Sequence, residues 1–63
     1  MEKGEIIDEL KSLKYSYDLK ASNASEHAQK DPQRAATHNM AFGVLTAISA
    51  DIERLIAMAE KAE

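Results

Sequence analysis

The sequence contains no cysteine, and this absence excludes disulfide bonds and thiolate metal sites. Its two histidines lack a supporting acidic cluster, which argues against a structural zinc ion as well. A chain of 63 residues buries only about 60% of the surface that its unfolded form exposes, so such chains are marginally stable alone. Association is the remaining means of stabilisation, and we expect a homo-oligomer, with a dimer favoured.

Charge of one sign and long apolar runs are also scarce. The formal net charge is only −3, which predicts no bulk attraction to nucleic acid. The longest nearly uncharged apolar run, Met40 to Ala50, is shorter than the about 20 residues that a bilayer-spanning helix needs. The N-terminus lacks the charged-then-apolar layout of a signal peptide. We therefore expect a soluble cytoplasmic protein without a membrane partner.

The first half of the chain has the pattern of an amphipathic helix. Between Glu5 and Lys30, apolar or small residues recur every three or four positions, which is the period of one helix face. Serine and asparagine near Ser22 compete for backbone hydrogen bonds, so a break at that point is an alternative. The predicted stripe consists of Ile6, Leu10, Leu13, Tyr17, Ala21, Ala24 and Ala28.

The boundary between the two halves is the segment Lys30-Asp31-Pro32. Aspartate is a favoured N-cap, and proline fits the first helical position because its missing N–H would be unpaired there. A connection this short makes two helices antiparallel neighbours. We therefore predict a turn at residues 30–32, with helices at about 5–30 and about 32–61.

The second predicted helix carries an apolar band wider than one partner helix can cover. Met40 and Val44 flank its central stripe on one side, and Phe42 and Ile56 flank it on the other. The stripe repeats every seven residues, as in helix bundles. It consists of Ala41, Leu45, Ile48, Ile52, Leu55, Ala59 and Ala62. Folding back would place Tyr17 opposite Leu45.

These patterns predict the fold class: a single all-α domain over residues 1–63, an antiparallel two-helix hairpin that dimerises into a four-helix bundle. Gly43 lies inside the second helix, where glycine costs about 1 kcal/mol relative to alanine. With Ala47 it forms a pair of small residues four positions apart, interpreted as a helix-crossing point between chains. The alternative is a tolerated glycine on an exposed turn. The predicted oligomer interface comprises Gly43, Val44, Leu45, Ala47, Ile48, Ile52 and Leu55.

Polar and aromatic residues near the turn form a candidate contact site for a ligand or a protein partner. Histidines on two opposing helices could line a small polar pocket, and an exposed tyrosine favours interfaces. The alternative is that these side chains are simply solvated. The candidate residues are Tyr15, His27, Arg34, His38 and Asn39.

The usual motifs of catalysis are missing from the sequence. It contains no glycine-rich phosphate loop, no serine or cysteine nucleophile motif and no pair of carboxylates that a two-helix chain could enclose. The nearest basic face, formed by Lys11, Lys14 and Arg34, is interrupted by acidic residues, so nucleic acid is not favoured as a partner. We predict a non-enzymatic protein without a cofactor or metal ion.

The segment A-A-T-H-N-M-A-F-G-V-L-T-A-I (Ala35 to Ile48), which follows the Asp-Pro turn, resembles small phage-encoded helical proteins that oppose bacterial immunity. Some members of that group are cyclic-nucleotide sponges with an A-x-T-x-x-x-x-G-type second helix, from which the spacing of Gly43 departs by one residue. The resemblance implies a phage protein that acts by binding. In length and layout the chain also looks like small plasmid-encoded hairpin dimers that bind RNA loops.

Three hypotheses for function follow. The first is an interaction protein that binds and inhibits or regulates a larger protein, as a phage inhibitor of bacterial defence would. The second is an oligomeric sponge for a small anionic signalling nucleotide, and the third is an RNA-binding helical dimer. The second and third both require clustered arginine and lysine, of which this chain has little.

Overall fold

The computed structural model describes residues 2–62, and these form an antiparallel pair of long helices. Helix α1 spans Lys3–Lys30, a 3-10 turn spans Pro32–Arg34, and helix α2 spans Ala35–Lys61. No strand occurs within residues 2–62. The predicted all-α hairpin is thus confirmed. It is a rod of 49 × 14 × 12 Å, which leaves both helices a large exposed surface.

Helix α1 runs without interruption through Ser22, where the sequence allowed a break. Ser22 and Asn23 point to solvent, while Ala21 and Ala24 are buried against α2. The packing of these alanines maintains the helix across a locally unfavourable stretch, because most helical stability in proteins comes from tertiary contacts.

The connection is longer than the Asp-Pro motif predicts. The backbone N–H of Asp31 donates to the carbonyl of His27 (2.9 Å) and closes α1. The N–H of Arg34 donates to the carbonyl of Asp31 (3.1 Å), but the Asp31 side chain forms no cap hydrogen bond. Pro32 therefore opens a 3-10 turn, and α2 begins three residues later, at Ala35.

The packed face of α1 is rotated relative to the predicted stripe. Ile6 and Leu13 are 41% and 47% exposed, whereas Ile7 and Lys14 are partly buried. This face repeats every seven residues, as two helices packed along their whole length require. It consists of Ile7, Leu10, Lys14, Tyr17, Ala21, Ala24 and Ala28.

Helix α2 is rotated in the same sense, with Ser49, Ile52 and Ile56 at the centre of the hairpin. Ile56, a flanking residue in the sequence pattern, is only 4% exposed, while Leu55 from the predicted stripe is 49% exposed. Helix α1 therefore covers the Ile56 side of the wide apolar band. The opposite side remains open.

The register of the two helices also differs from the prediction. Asp18 contacts Ser49, and His27 contacts His38, so Tyr17 lies about one turn further along α2 than Leu45. The three residues of the 3-10 turn account for most of this shift, because they lengthen the connection and move its midpoint towards the C-terminus.

Candidate association surface

One side of the hairpin is held by charged side chains, and we call this side the polar flank. Lys11 Nζ lies 3.7 Å from Glu60 Oε2, and Lys14 Nζ lies 4.0 Å from Glu53 Oε2. These pairs are solvent-exposed, so each contributes little to stability. They show which edge of α1 lies beside which edge of α2.

The centre of the polar flank is Asp18, which joins both helices. Lys14 Nζ donates to Asp18 Oδ2 at 2.7 Å, and the Ser49 hydroxyl donates to the other carboxylate oxygen. These two hydrogen bonds, with Lys14 first and Ser49 second, hold the pKa of Asp18 below its ordinary value of 3.8. The hydrogen bond to Asp18 raises the pKa of Lys14 in turn.

Sequence reasoning did not find Asp18 and Ser49. Ser49 is the one buried polar residue within residues 2–62. It precedes the buried Ile56 by seven residues and therefore occupies the same position of the seven-residue repeat. A serine within an apolar repeat is the signal that could have found it, because a buried hydroxyl requires a hydrogen-bonding partner.

The other side of the hairpin is apolar, and we call it the apolar flank. Leu13 follows Lys11 by two residues, so the two side chains diverge by about 160° around α1. On α2, Leu55 follows Glu53 by two residues, so these two side chains also diverge by about 160°. The ion pairs and these leucines therefore lie on opposite sides. The large side chains of this flank, between 41% and 72% exposed, are Ile6, Leu13, Met40, Val44, Leu55 and Met58.

The apolar flank contains an open groove near the turn. The groove has a volume of about 440 Å³ and is formed by α2 alone. Its lining consists of Thr37, Met40, Ala41, Val44 and Leu45. The neighbouring positions of α1 carry Lys20 and His27 instead of large apolar side chains. At the turn end, the apolar surface is therefore contributed by α2 alone.

The residues of the predicted oligomer interface occupy three different places. Val44 and Leu55 lie on the apolar flank, with the partly buried Leu45 and Ile48 beneath them. Ile52, at 6% exposed, is already covered inside the hairpin. Gly43 and Ala47 are exposed on the outer surface of α2, and a methyl group added at Gly43 would meet no atom within 4 Å.

The five candidate contact residues do not converge. The rings of His27 and His38 approach to a centroid distance of 5.5 Å at the turn end. Tyr15 is 69% exposed and precedes His27 by twelve residues, a distance of about 18 Å along a helix. Arg34 Nε lies 4.0 Å from Asp31 Oδ2. Asn39 is exposed on the same side of α2 as Glu53. Only the two histidines are brought together.

Residues 2–62 include no group of three or more histidine or acidic side chains that is arranged to hold a metal ion. Neither of the two helices has a stretch sufficiently long and apolar to cross a membrane.

No protein-family model matches this chain, and no match was found among curated proteins or among solved structures. The resemblance to phage anti-defence proteins therefore stays a hypothesis.

Proposed function

We propose that this chain is a small interaction protein without catalytic activity, which works as a homodimer and binds a larger protein. The observation that carries the proposal is the division of the hairpin into a polar flank of ion pairs and an apolar flank of exposed aliphatic side chains. Large contiguous apolar surfaces on small proteins mark sites of association. Two hairpins joined through their apolar flanks would form a four-helix bundle.

The dimensions of the hairpin support this proposal. Its accessible surface is 4840 Å², about 800 Å² more than the roughly 4,000 Å² that a compact monomer of 7.0 kDa exposes. Its radius of gyration is 14.5 Å, against about 10.6 Å for a compact domain of this length. A stable interface buries about 800 Å² on each partner, so one such interface would remove the excess.

A second exposed apolar pair would remain available on the dimer for the larger partner. Tyr15 and Leu19 are 69% and 51% exposed, and their spacing of four residues places them side by side on α1. Leu19 follows Leu13 by six residues and thus lies about 120° away around α1, outside the apolar flank. Tyrosine contributes strongly to protein interfaces because its ring is large, rigid and amphipathic.

Sedimentation equilibrium tests the homodimer. The wild-type chain is expected to sediment with twice the mass of 7.0 kDa, and Val44→Glu on the apolar flank is expected to give monomers. Ala50→Glu is the matched control, since Ala50 is exposed on the outer surface of α2 and receives the same charge. A monomeric wild type at all concentrations, or equal effects of the two variants, would contradict the proposal.

Binding to a larger protein is tested with the immobilised wild-type dimer and its Tyr15→Ala variant. We expect a protein of a cell lysate that is retained by the wild type and lost with Tyr15→Ala at unchanged dimer mass. The control is Ser12→Ala, an exposed position one turn before Tyr15. If Tyr15→Ala retains the same protein as the wild type does, the surface around Tyr15 and Leu19 is not the binding site.

A further inference from the structure

We propose that the occupant of the apolar flank is a second copy of this chain in an antiparallel arrangement, in which each α1 lies beside the α1 of the partner and each α2 beside the partner's α2. This inference rests on the proposed homodimer and defines its geometry. We call the end at which α1 begins and α2 ends the open end. Two features of the hairpin, one of shape and one of charge, differ between its turn end and its open end. Both features become complementary between the two copies when one copy is rotated by 180° about an axis perpendicular to the rod.

The first feature is the distribution of apolar side chains. At the turn end, α2 has the open groove of about 440 Å³ that Val44 helps to line. At the open end, α2 projects Leu55 and Met58, which are 49% and 66% exposed. A two-fold axis perpendicular to the rod places the projecting residues of each copy over the groove of the other. The same contact then forms twice, as an isologous dimer requires.

The second feature is the distribution of charge beside the apolar flank on α1. Glu2, Glu5 and Glu9 lie near the open end, whereas Lys20 lies towards the turn, as does Lys30, which pairs with Glu26 at 3.9 Å. Within residues 2–62, neither Glu9 nor Lys20 forms an ion pair, and Lys20 Nζ lies 5.0 Å from the centre of the Tyr17 ring. Antiparallel α1 helices bring the acidic end of one copy to Lys20 of the partner subunit, and this attraction favours the antiparallel orientation.

The register follows from pairing Glu9 with Lys20 of the partner subunit. The two-fold axis then crosses α1 between residues 14 and 15. Within one hairpin, Asp18 is level with Ser49 and Lys14 is level with Glu53. The axis therefore crosses α2 at about residue 52. Val44 is then level with about residue 60 of the partner's α2, within about two residues of Met58 of the partner subunit. Ile48 is level with about residue 56, within about one residue of Leu55 of the partner subunit.

The parallel arrangement lacks these matches. A two-fold axis along the rod would place α1 of one copy beside α2 of the other, with both turns at the same end. The groove at Val44 would then face Lys20 of the partner subunit, and the acidic start of α1 would lie level with Leu55 and Met58 of the partner subunit. Glu9 would therefore face apolar side chains instead of the opposite charge that the antiparallel arrangement supplies.

Charge exchange tests the proposed pairing. Glu9→Lys is expected to raise the dissociation constant of the dimer about tenfold, because two opposite-charge contacts become repulsive. The double variant Glu9→Lys, Lys20→Glu is expected to restore the wild-type value within about twofold. The control is Asp8→Lys, which makes the same change of charge one position earlier on the outer side of α1. Circular dichroism verifies that each variant keeps its helices.

Cross-linking distinguishes the two arrangements, since the chain has no cysteine of its own. Equimolar Val44→Cys and Met58→Cys chains are expected to form a mixed disulfide under mild oxidation, whereas Val44→Cys and Lys20→Cys chains are not. The opposite result would overturn the antiparallel arrangement and leave the homodimer intact. A dimer whose double charge variant is as weak as Glu9→Lys would also overturn the pairing, while a wild type that stays monomeric would overturn the proposed function itself.

Discussion

The Ser49 hydroxyl donates a hydrogen bond to the carboxylate of Asp18, thirty-one residues earlier in the chain, and this contact sets the register of the two helices. Ser49 is 5% exposed, whereas Asp18 lies at the solvent-exposed edge and also accepts from Lys14. A buried hydroxyl without a partner is costly, so this serine tolerates few other positions opposite α1.

Ser49→Ala removes this hydrogen bond while it nearly preserves the packed volume. The melting temperature is expected to fall by roughly 5 °C, since a hydrogen bond to a charged group contributes to stability and small domains respond steeply. Thermal unfolding followed by circular dichroism measures the change. Thr46→Ala is the control, because Thr46 is exposed on the same helix. An unchanged melting temperature for Ser49→Ala would mean that the hydroxyl contributes nothing to stability.

Stability is expected to depend on pH through Asp18. Its pKa is lowered in the folded state, so its contribution is fully present above the ordinary pKa of 3.8 and is lost as the pH falls through the lower folded-state value. The midpoint of urea unfolding should therefore decrease below about pH 4 more steeply for the wild type than for Asp18→Asn. Asp8→Asn, on the outer side of α1, serves as the control. Parallel pH curves for wild type and Asp18→Asn would contradict the assignment.

Ala24→Leu tests the close approach of the helices near the turn. Ala24 is 8% exposed against α2, so a larger side chain forces the helices apart, at an expected cost of about 1–3 kcal/mol in the free energy of unfolding. Ala47→Leu introduces the same side chain on the exposed outer surface of α2 and should cost less than about 0.5 kcal/mol. Urea titration of both variants provides the comparison, and equal costs would argue against close packing at Ala24.

Gly43→Ala is expected to stabilise the hairpin by about 0.5–1 kcal/mol, because alanine favours the helix and the added methyl group meets open space. The position of Gly43 on the outer surface favours the interpretation as a tolerated glycine. If Gly43 were instead a crossing point between chains, Gly43→Leu would weaken the proposed dimer. Sedimentation of Gly43→Leu separates the two interpretations, since only a crossing glycine makes the dissociation constant sensitive to a large side chain.

The limits of sequence reasoning are clearest at Leu13 and Ile56. The spacing of apolar residues identified both helices, yet it assigned Leu13 to the packed face and Ile56 to its edge, and the structure reverses these roles. An apolar band wider than one partner can cover does not specify which of its sides that partner occupies. Contacts between residues far apart in sequence, such as that between Asp18 and Ser49, decide the choice.

The sequence by itself determined the elements of this protein: two amphipathic helices with the spacing of a helical repeat, an Asp-Pro boundary between them, and more apolar surface than one hairpin can bury. These features follow from local propensity and periodicity, which neighbouring residues establish together. Only the tertiary structure decided the rotation and register of the helices, because the 3-10 turn at Pro32 shifts the pairing and the Asp18–Ser49 hydrogen bond fixes it. That rotation collects the ion pairs on one flank and leaves Leu13, Val44 and Leu55 exposed together on the other.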